Sequence, residues 1–135
     1  MARSWVQKLA DETPHVIKRM TIDIAGMKKG EIVLVPSIRQ IDEFIRAIPR
    51  RRYVSIADMR KELARLHGAE VTCPVYTGYH LRTCAEAAFE TYSQGAPLTR
   101  ITPVWRVLDE KSPTIKKLSA KNQQMIKEQR QREGL

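Results

Sequence analysis

Residues 37–68 read SIRQIDEFIRAIPRRRYVSIADMRKELARLHG and predict two consecutive helices. Isoleucine and phenylalanine recur at helical spacing after Ser37, which begins a capping-box pattern. Pro49 ends the first helix, because proline has no N–H group for a helical hydrogen bond. Ser55 caps the second helix and Gly68 ends it. The stretch therefore predicts two amphipathic helices joined by a basic turn.

Three flanking elements complete a predicted fold that is mainly α with small β elements. A short apolar run predicts a strand over residues 31–35, and a third helix is expected to begin at Thr77 or Gly78. A second strand is predicted over residues 101–108, although Pro103 weakens it. The predicted elements follow one another as helix, capped helix, connector, second helix and strand pair. This is the order of a winged helix-turn-helix. In that fold the second helix of the pair enters a groove of DNA.

The chain divides into three predicted regions. Residues 1–30 resemble an appendage, because Pro14 and two later glycines interrupt the chain after one short capped helix. Residues 31–110 form the predicted winged helix-turn-helix DNA-binding domain. Residues 111–135 form a predicted basic C-terminal helix that begins at Ser112, and its polar end is expected to fray.

Positive charge is concentrated in two of these stretches. The 135 residues carry a net charge of +9 and the isoelectric point is near 9.9. Residues 46–65 and 111–135 each hold seven basic and two acidic side chains, which gives +5 for each, while the rest of the chain nearly cancels. Solvated helix faces would explain either block alone. Two such blocks indicate a polyanionic partner, and double-stranded DNA is the partner we expect.

The sequence also narrows the class of protein. No apolar run approaches the roughly 18–20 residues that cross a bilayer, and the first residues lack the layout of a signal peptide, so a cytoplasmic protein without a membrane partner is expected. Cys73 and Cys84, with ten residues between them, match no zinc or CxxC pattern and are expected to be reduced thiols. No cofactor or metal is indicated, and the oligomeric state is open.

Residues 95–107, GAPLTRITPVWRV, and residues 48–57, IPRRRYVSIA, resemble parts of the methylguanine-DNA methyltransferase family. The first aligns without gaps with that family's active-site pattern of Gly-Asn-Pro, five residues and Pro-Cys-His-Arg-Val. The second resembles the segment that enters its helix-turn-helix. A less characterised methyltransferase-like branch is more similar still, through CPVYTGY (73–79), AAFE (87–90) and TPVWRV (102–107). Together the similar stretches cover roughly residues 33–110.

The resemblance implies that catalysis has been lost. The family's nucleophilic cysteine falls on Val104, its activating histidine on Trp105 and its asparagine hinge on Ala96. Covalent transfer requires a thiolate, so alkyl transfer by the family's route is not expected. In this the chain is similar to alkyltransferase-like proteins, in which the cysteine is also replaced and which bind lesions without repairing them. The resemblance implies a non-enzymatic DNA-binding protein in DNA repair that detects alkylated or distorted DNA, or binds duplex without strong sequence preference.

Two further family roles have alternative positions. The tyrosine that rotates the target phosphate falls near Ile56, and Tyr53 lies close by. The arginine that fills the gap left by a flipped base corresponds to Arg82, or to Ala87 if residues are counted without gaps from Gly95.

The candidate DNA-binding residues derive from these positions. Arg82 is expected on the solvent face of the third helix, where it would enter a groove, although an exposed arginine without special role is an equal alternative. Trp105 would stack on a flipped base or lie in the core, and Arg106 would touch DNA or brace its turn. The candidates are Arg50, Arg51, Arg52, Tyr53, Ser55, Tyr76, Thr77, Tyr79, His80, Arg82, Thr83, Trp105 and Arg106.

Two other functions remain open from the sequence. The protein could be an enzyme with a relocated alkyl acceptor, Cys73 or Cys84, although Cys84 has the position of a small core residue. It could also be a protein-interaction or RNA-binding protein that retains only the scaffold, because fold does not determine function.

Overall fold

A computed structural model describes residues 3–135, which form five α-helices, three 3-10 turns and one small sheet. The helices are α1 (Trp5–Leu9), α2 (Ile38–Arg46), α3 (Ile56–Leu66), α4 (Pro74–Ser93) and α5 (Ala120–Glu133). The strands are β1 (Val16–Arg19), β2 (Ile32–Val35) and β3 (Val71–Thr72). The 3-10 turns are Leu98–Arg100, Val104–Arg106 and Pro113–Lys117. The predicted mainly α fold with small β elements is confirmed.

The predicted helix starts at Ser37 and Ser55 are confirmed by their caps. The Ser37 hydroxyl accepts from the Gln40 N–H at 3.1 Å, while the Gln40 side chain accepts from the Ser37 N–H at 2.9 Å. The Ser55 hydroxyl accepts from the Asp58 N–H at 3.0 Å. These local bonds satisfy backbone donors that the first helical turn leaves free, so both helices begin where the sequence predicts.

Helix α4 lies at the centre of the molecule. One side of it, including Leu81, Cys84 and Phe89, is buried, and α1, α2 and two of the 3-10 turns pack around it. The main core also contains Ile41 and Ile45 of α2. No helix formed by residues 3–135 is long and apolar enough to cross a lipid bilayer.

The sheet has the order β1-β2-β3. Strand β1 pairs antiparallel with β2, placing Val16 opposite Val35, and β3 pairs parallel with β2, placing Val71 opposite Val33. A second small core, formed by buried Met27, Val33 and Cys73, lies against this sheet. The sequence did not indicate β1 or β3, because every residue of β1 is exposed and β3 has only two residues.

The strand predicted over residues 101–108 is wrong. Val104 to Arg106 form a 3-10 turn, and the Leu108 N–H donates to the Val104 carbonyl at 2.9 Å instead of to a neighbouring strand. Val104, Val107 and Leu108 are fully buried, so this apolar run is an irregular part of the core. Periodicity alone does not separate a buried strand from other buried apolar segments.

Two predicted boundaries are also wrong. Helix α4 begins at Pro74 rather than at Thr77 or Gly78, because proline fits the first position of a helix, where no N–H bond is needed. Ser112 precedes a 3-10 turn, and α5 begins later, at a cap in which the Ser119 hydroxyl accepts from the Asn122 N–H. The end predicted to fray is helical to Glu133.

Residues 16–35 form one long hairpin, which we call the hairpin arm. At its tip Ile24 and Met27 exchange two backbone hydrogen bonds of 2.9 and 2.8 Å. The two residues between them have positive φ, 52° at Ala25 and 82° at Gly26, as a type I′ turn requires. An alanine side chain is unfavourable in this conformation, so the turn is strained at Ala25.

We expect Ala25→Asn to stabilise the protein by about 1 kcal/mol, because Asn-Gly is the preferred pair in a type I′ turn. Urea denaturation followed by circular dichroism measures this. The control is Ala47→Asn, at an exposed position with an ordinary φ of −80°, where no gain is expected. Loss of stability in Ala25→Asn would contradict the turn.

Candidate nucleic-acid interface

The three adjacent arginines lie in a tight turn between α2 and α3, which we call the arginine turn (residues 49–52). The Arg52 N–H donates to the Pro49 carbonyl at 3.1 Å, and Arg51 has a φ of 69°. A positive φ at the third residue is the geometry of a type II turn, where glycine or asparagine is usual. Arg50, Arg51 and Arg52 are all exposed. The chain therefore keeps a strained arginine where a smaller residue would be more favourable.

The Glu133 carboxylate at the end of α5 holds this turn in place. It accepts from the Arg51 N–H at 2.7 Å, from the Trp105 indole N–H at 2.5 Å and from Arg106 Nε at 2.9 Å. Glu133 is only 6% exposed. One buried carboxylate thus connects the last turn of α5 with two segments far away in the sequence, and we call this set of bonds the Glu133 clamp.

Arg106 and Trp105 support the turn from inside. Arg106 also donates to the Ile48 carbonyl at 2.9 Å, and its own carbonyl accepts from the Val54 N–H at 2.9 Å. Trp105 is buried in the main core. The structure agrees with the alternatives in which Trp105 is a core residue and Arg106 a brace, and the buried indole is not placed to stack on a flipped base.

Tyr53 extends the surface next to the turn. Its hydroxyl donates to Asp109 Oδ2 at 3.0 Å, and the Arg130 guanidinium lies 4.8 Å from the ring centre. Burial raises the pKa of Tyr53, and the hydrogen bond to Asp109 raises it further. Arg130 is itself fixed by bonds to the Trp105 and Leu108 carbonyls. The tyrosine is therefore held by contacts with Asp109 and Arg130 while it remains partly exposed.

The arginine turn carries positive charge that is not neutralised locally. The ion pairs found among residues 3–135 are Arg39–Glu43, Arg46–Asp42, Arg65–Glu62 and Arg106–Glu133. The side chains of Arg50, Arg51 and Arg52 take part in none of these. Because Glu133 binds the turn, exposed Arg132 of α5 lies near it in the chain's other basic block. The fold thus brings together two basic blocks that are distant in sequence.

The candidate residues at the start of α4 form a separate group. Tyr76 and Tyr79 are exposed, with ring centres 6.1 Å apart in an edge-on arrangement. Thr77 is buried, and its hydroxyl donates to the Cys73 carbonyl. Within residues 3–135 no hydrogen bond or ion pair connects this group with the arginine turn.

His80 and Thr83, on the next turn of α4, are half-buried and already bonded. His80 Nε2 lies 3.0 Å from the Pro36 carbonyl, and burial lowers the pKa of His80. The Thr83 hydroxyl donates to the Tyr79 carbonyl at 3.1 Å. The Ser55 hydroxyl, likewise, is used as the α3 cap. The Thr83 hydroxyl proton is therefore used within α4, whereas the Ser55 hydroxyl accepts in its cap and still has a proton to donate.

The prediction that Arg82 lies on an open solvent face is wrong. Arg82 is half-buried, with its guanidinium 5.1 Å from the centre of the Trp5 ring. Helix α1 is held there because the Glu90 carboxylate accepts from the Trp5 and Val6 N–H groups at 3.2 and 3.4 Å. The sequence did not indicate this cover, because the contact joins residues 77 positions apart through a helix predicted to belong to an appendage.

The two cysteines that the sequence offered as alternative alkyl acceptors both lie inside the protein. Cys73 and Cys84 are both free and buried. Burial raises the pKa of the Cys84 thiol well above its usual value, and nearby Asp42 raises it further, which disfavours the reactive thiolate. Val104, at the position of the family's nucleophile, is fully buried.

Compared with models of known protein families, with curated proteins and with solved structures, the chain matches none of them. Residues 3–135 also contain no group of three or more histidine, cysteine or acidic side chains arranged to hold a metal ion.

Glu133 and Arg130 were not among the candidates from sequence, although both bond to residues of the basic surface or to their neighbours. Burial acts to raise the pKa of Glu133, but the bonds from Arg106, the Arg51 N–H and Trp105 outweigh it and hold the pKa below its usual value. Glu133 is therefore ionised at neutral pH. The sequence offered little to separate Glu133 from Glu128, the other acid of this basic helix.

We expect Glu133→Gln to destabilise the protein by about 3 kcal/mol at neutral pH, because it leaves the largely buried Arg106 guanidinium without its partner. A carboxyl group whose pKa is lower in the folded than in the unfolded state stabilises the folded protein at any pH above its unfolded-state pKa. This stabilisation is lost as the pH falls through the folded-state pKa. In urea denaturation the difference from wild type should thus shrink as the pH falls below the usual range of a glutamate.

The control for this substitution is Glu128→Gln, the same chemical change on α5 at a side chain whose one hydrogen bond within residues 3–135 comes from Gln124. It should have little effect at any pH. A stability loss in Glu133→Gln that is the same at neutral and acid pH would show that the clamp does not act through the ionised carboxylate.

Proposed function

We propose that this protein is a non-enzymatic DNA-binding protein that binds the phosphates of double-stranded DNA through the arginine turn. The observation that carries the proposal is Arg51, an exposed arginine outside the ion pairs of residues 3–135, which the Glu133 clamp holds at a positive φ. Strained backbone of this kind is concentrated at functional sites, where the surrounding structure compensates for it.

Electrostatics supports a phosphate partner for this turn. Three neighbouring guanidinium groups repel one another, and the repulsion is relieved when anions bind between them. Arginine binds phosphate with several N–H donors at once, and contacts of this kind position a protein on duplex DNA without reading its sequence. The one carboxylate that bonds to the turn within residues 3–135, Glu133, is directed inward and leaves the outer surface positive.

The resemblance to methylguanine-DNA methyltransferases supports the same partner. Helices α2, α3 and α4 follow one another in the order expected for a helix-turn-helix, and the arginine turn is the segment that resembles the family's entry to that motif. Within residues 3–135 the β-hairpin is the hairpin arm. The strand pair that the sequence predicted after the helices, with a strand over residues 101–108, is not formed. On this proposal the wing of the fold therefore precedes the helices.

The proposed binding is non-enzymatic because the position of the family's nucleophile is Val104. By analogy with alkyltransferase-like proteins, the protein would detect alkylated or distorted DNA without repairing it. The alternative with a relocated cysteine needs Cys73 or Cys84 to become accessible, and both are buried.

We expect duplex DNA binding, measured by fluorescence anisotropy, to weaken steeply between about 50 and 200 mM salt. Arg51→Gly should reduce the slope of log K against log salt by about 0.9, the value for one lost phosphate contact. The same variant should be at least as stable as wild type, because glycine accepts the positive φ and keeps the N–H bond to Glu133.

Arg100→Ala is the control, since it removes the same charge from another exposed turn. It should change the slope less than Arg51→Gly. The proposal is wrong if wild-type binding is absent or independent of salt. Comparing duplexes with and without O6-methylguanine in the same assay measures any preference for the lesion.

We also expect no transfer of a methyl group from O6-methylguanine to the protein. The physical reason is the absence of a thiol at Val104 and the burial of both cysteines. Mass spectrometry of the intact protein after incubation with methylated duplex should show an unchanged mass. An adduct of one methyl group on Cys73 or Cys84 would establish the enzymatic alternative.

A further inference from the structure

The hairpin arm carries basic side chains that internal ion pairs do not neutralise. Lys18, Arg19, Lys28 and Lys29 are exposed and take part in none of the ion pairs formed by residues 3–135. The arm's two acids are used by the backbone instead. Asp23 accepts from the Lys29 N–H at 2.7 Å, and Glu31 accepts from the Lys28 N–H at 2.5 Å. The ammonium groups of the two lysines therefore remain available to a partner.

The end of the arm also exposes large apolar side chains. Ile22 is 59% exposed and Ile24 is 52% exposed, on either side of Asp23. Exposed isoleucines beside free cations form a surface that is both apolar and basic. Proteins that bind the minor groove of DNA combine the same two kinds of side chain, with cations for the phosphates and apolar wedges between base pairs.

The arm is fixed at its base and at its tip. Met27 and Val33 are buried in the second small core together with Cys73, and Met20 packs against them. The Met20 N–H donates to the Glu31 carbonyl at 2.9 Å, which continues the pairing beyond the strands. The tip itself is a hydrogen-bonded type I′ turn. A hairpin held in this way presents Ile22 and Ile24 in a defined position.

Helix α3 separates the arm from the arginine turn. One end of α3 follows the arginine turn at Ser55, and beyond its other end Glu70 bonds to Ile32, where the arm's second strand begins. The 11 residues of α3 correspond to a length of about 16 Å.

We propose that the hairpin arm is a second DNA-contacting element, which binds phosphates through its cations and inserts Ile22 or Ile24 into the minor groove of duplex DNA. The inference rests on the proposed function and adds to it a groove, an apolar wedge and a bend in the DNA.

Two double variants test the two parts of the inference. Lys28→Gln/Lys29→Gln removes two cations, and the salt slope of DNA binding should fall by about 1.8. Ile22→Ser/Ile24→Ser removes the wedge, so the slope should be unchanged while affinity falls about tenfold. Wild-type protein should bring the dye-labelled ends of a duplex of about 25 base pairs closer together in energy-transfer measurements, and the isoleucine variant should not.

Matched controls are Arg3→Gln/Arg100→Gln, two exposed arginines outside the arm and outside both basic blocks, and Val6→Ser, an exposed apolar residue of α1. Circular dichroism and thermal unfolding check that each variant is folded. If an isoleucine variant does not fold, the lysine pair and the wild-type bend still decide the inference.

The outcomes separate the two proposals. If wild-type protein binds DNA and depends on Arg51, but the arm variants behave like their controls and the duplex stays straight, the arm inference is overturned and the proposed function stands. If wild-type protein does not bind duplex DNA at all, the proposed function is overturned and the arm inference with it. If the lysine variant of the arm reduces the salt slope and Arg51→Gly does not, the arm is supported as a DNA-contacting element and the proposed phosphate contact of the arginine turn is overturned.

Discussion

The buried carboxylate of Glu133 is the interaction on which the basic surface depends. It binds an N–H of the arginine turn, the indole of Trp105 and the guanidinium of Arg106 at the same time. A buried charge is tolerated only when it is paired and hydrogen-bonded, and these three donors meet both conditions. The clamp thus joins the last turn of α5, the segment after α4 and the connection between α2 and α3. The hydrogen bond from the Arg51 N–H to Glu133 holds Arg51 in a left-handed conformation.

Those parts of the fold that are determined by neighbouring residues could be predicted from the sequence. The caps at Ser37 and Ser55 depend on bonds over three positions, so their pattern is visible in the sequence, and the mainly α class follows from them. The strand predicted over residues 101–108 failed for the opposite reason. Its apolar residues are buried by contacts with several elements, and such contacts leave no periodic pattern. Strand β1, exposed throughout, is a strand only because it pairs with β2.

The features of the candidate site also separate into those that local sequence determines and those that depend on distant contacts. The exposed arginine turn was predicted from three adjacent arginines between two helices, which is local information. The cover of Arg82 by Trp5 and the clamp by Glu133 involve contacts over 77 and 82 positions, and neither could be predicted. The end of α5 was expected to fray because its sequence is polar. It is helical to its end, where one of those polar residues, Glu133, accepts hydrogen bonds from three donors.

The distance along the chain between Arg51 and Glu133 has a consequence for synthesis. A chain folds progressively as it is made, from its N-terminal side. The arginine turn is made 82 residues before the carboxylate that shapes it, so during most of synthesis Glu133 cannot restrain Arg51. The basic surface acquires its final geometry only when α5 docks. A nascent chain would therefore carry the charges of the arginine turn, but not yet their final arrangement.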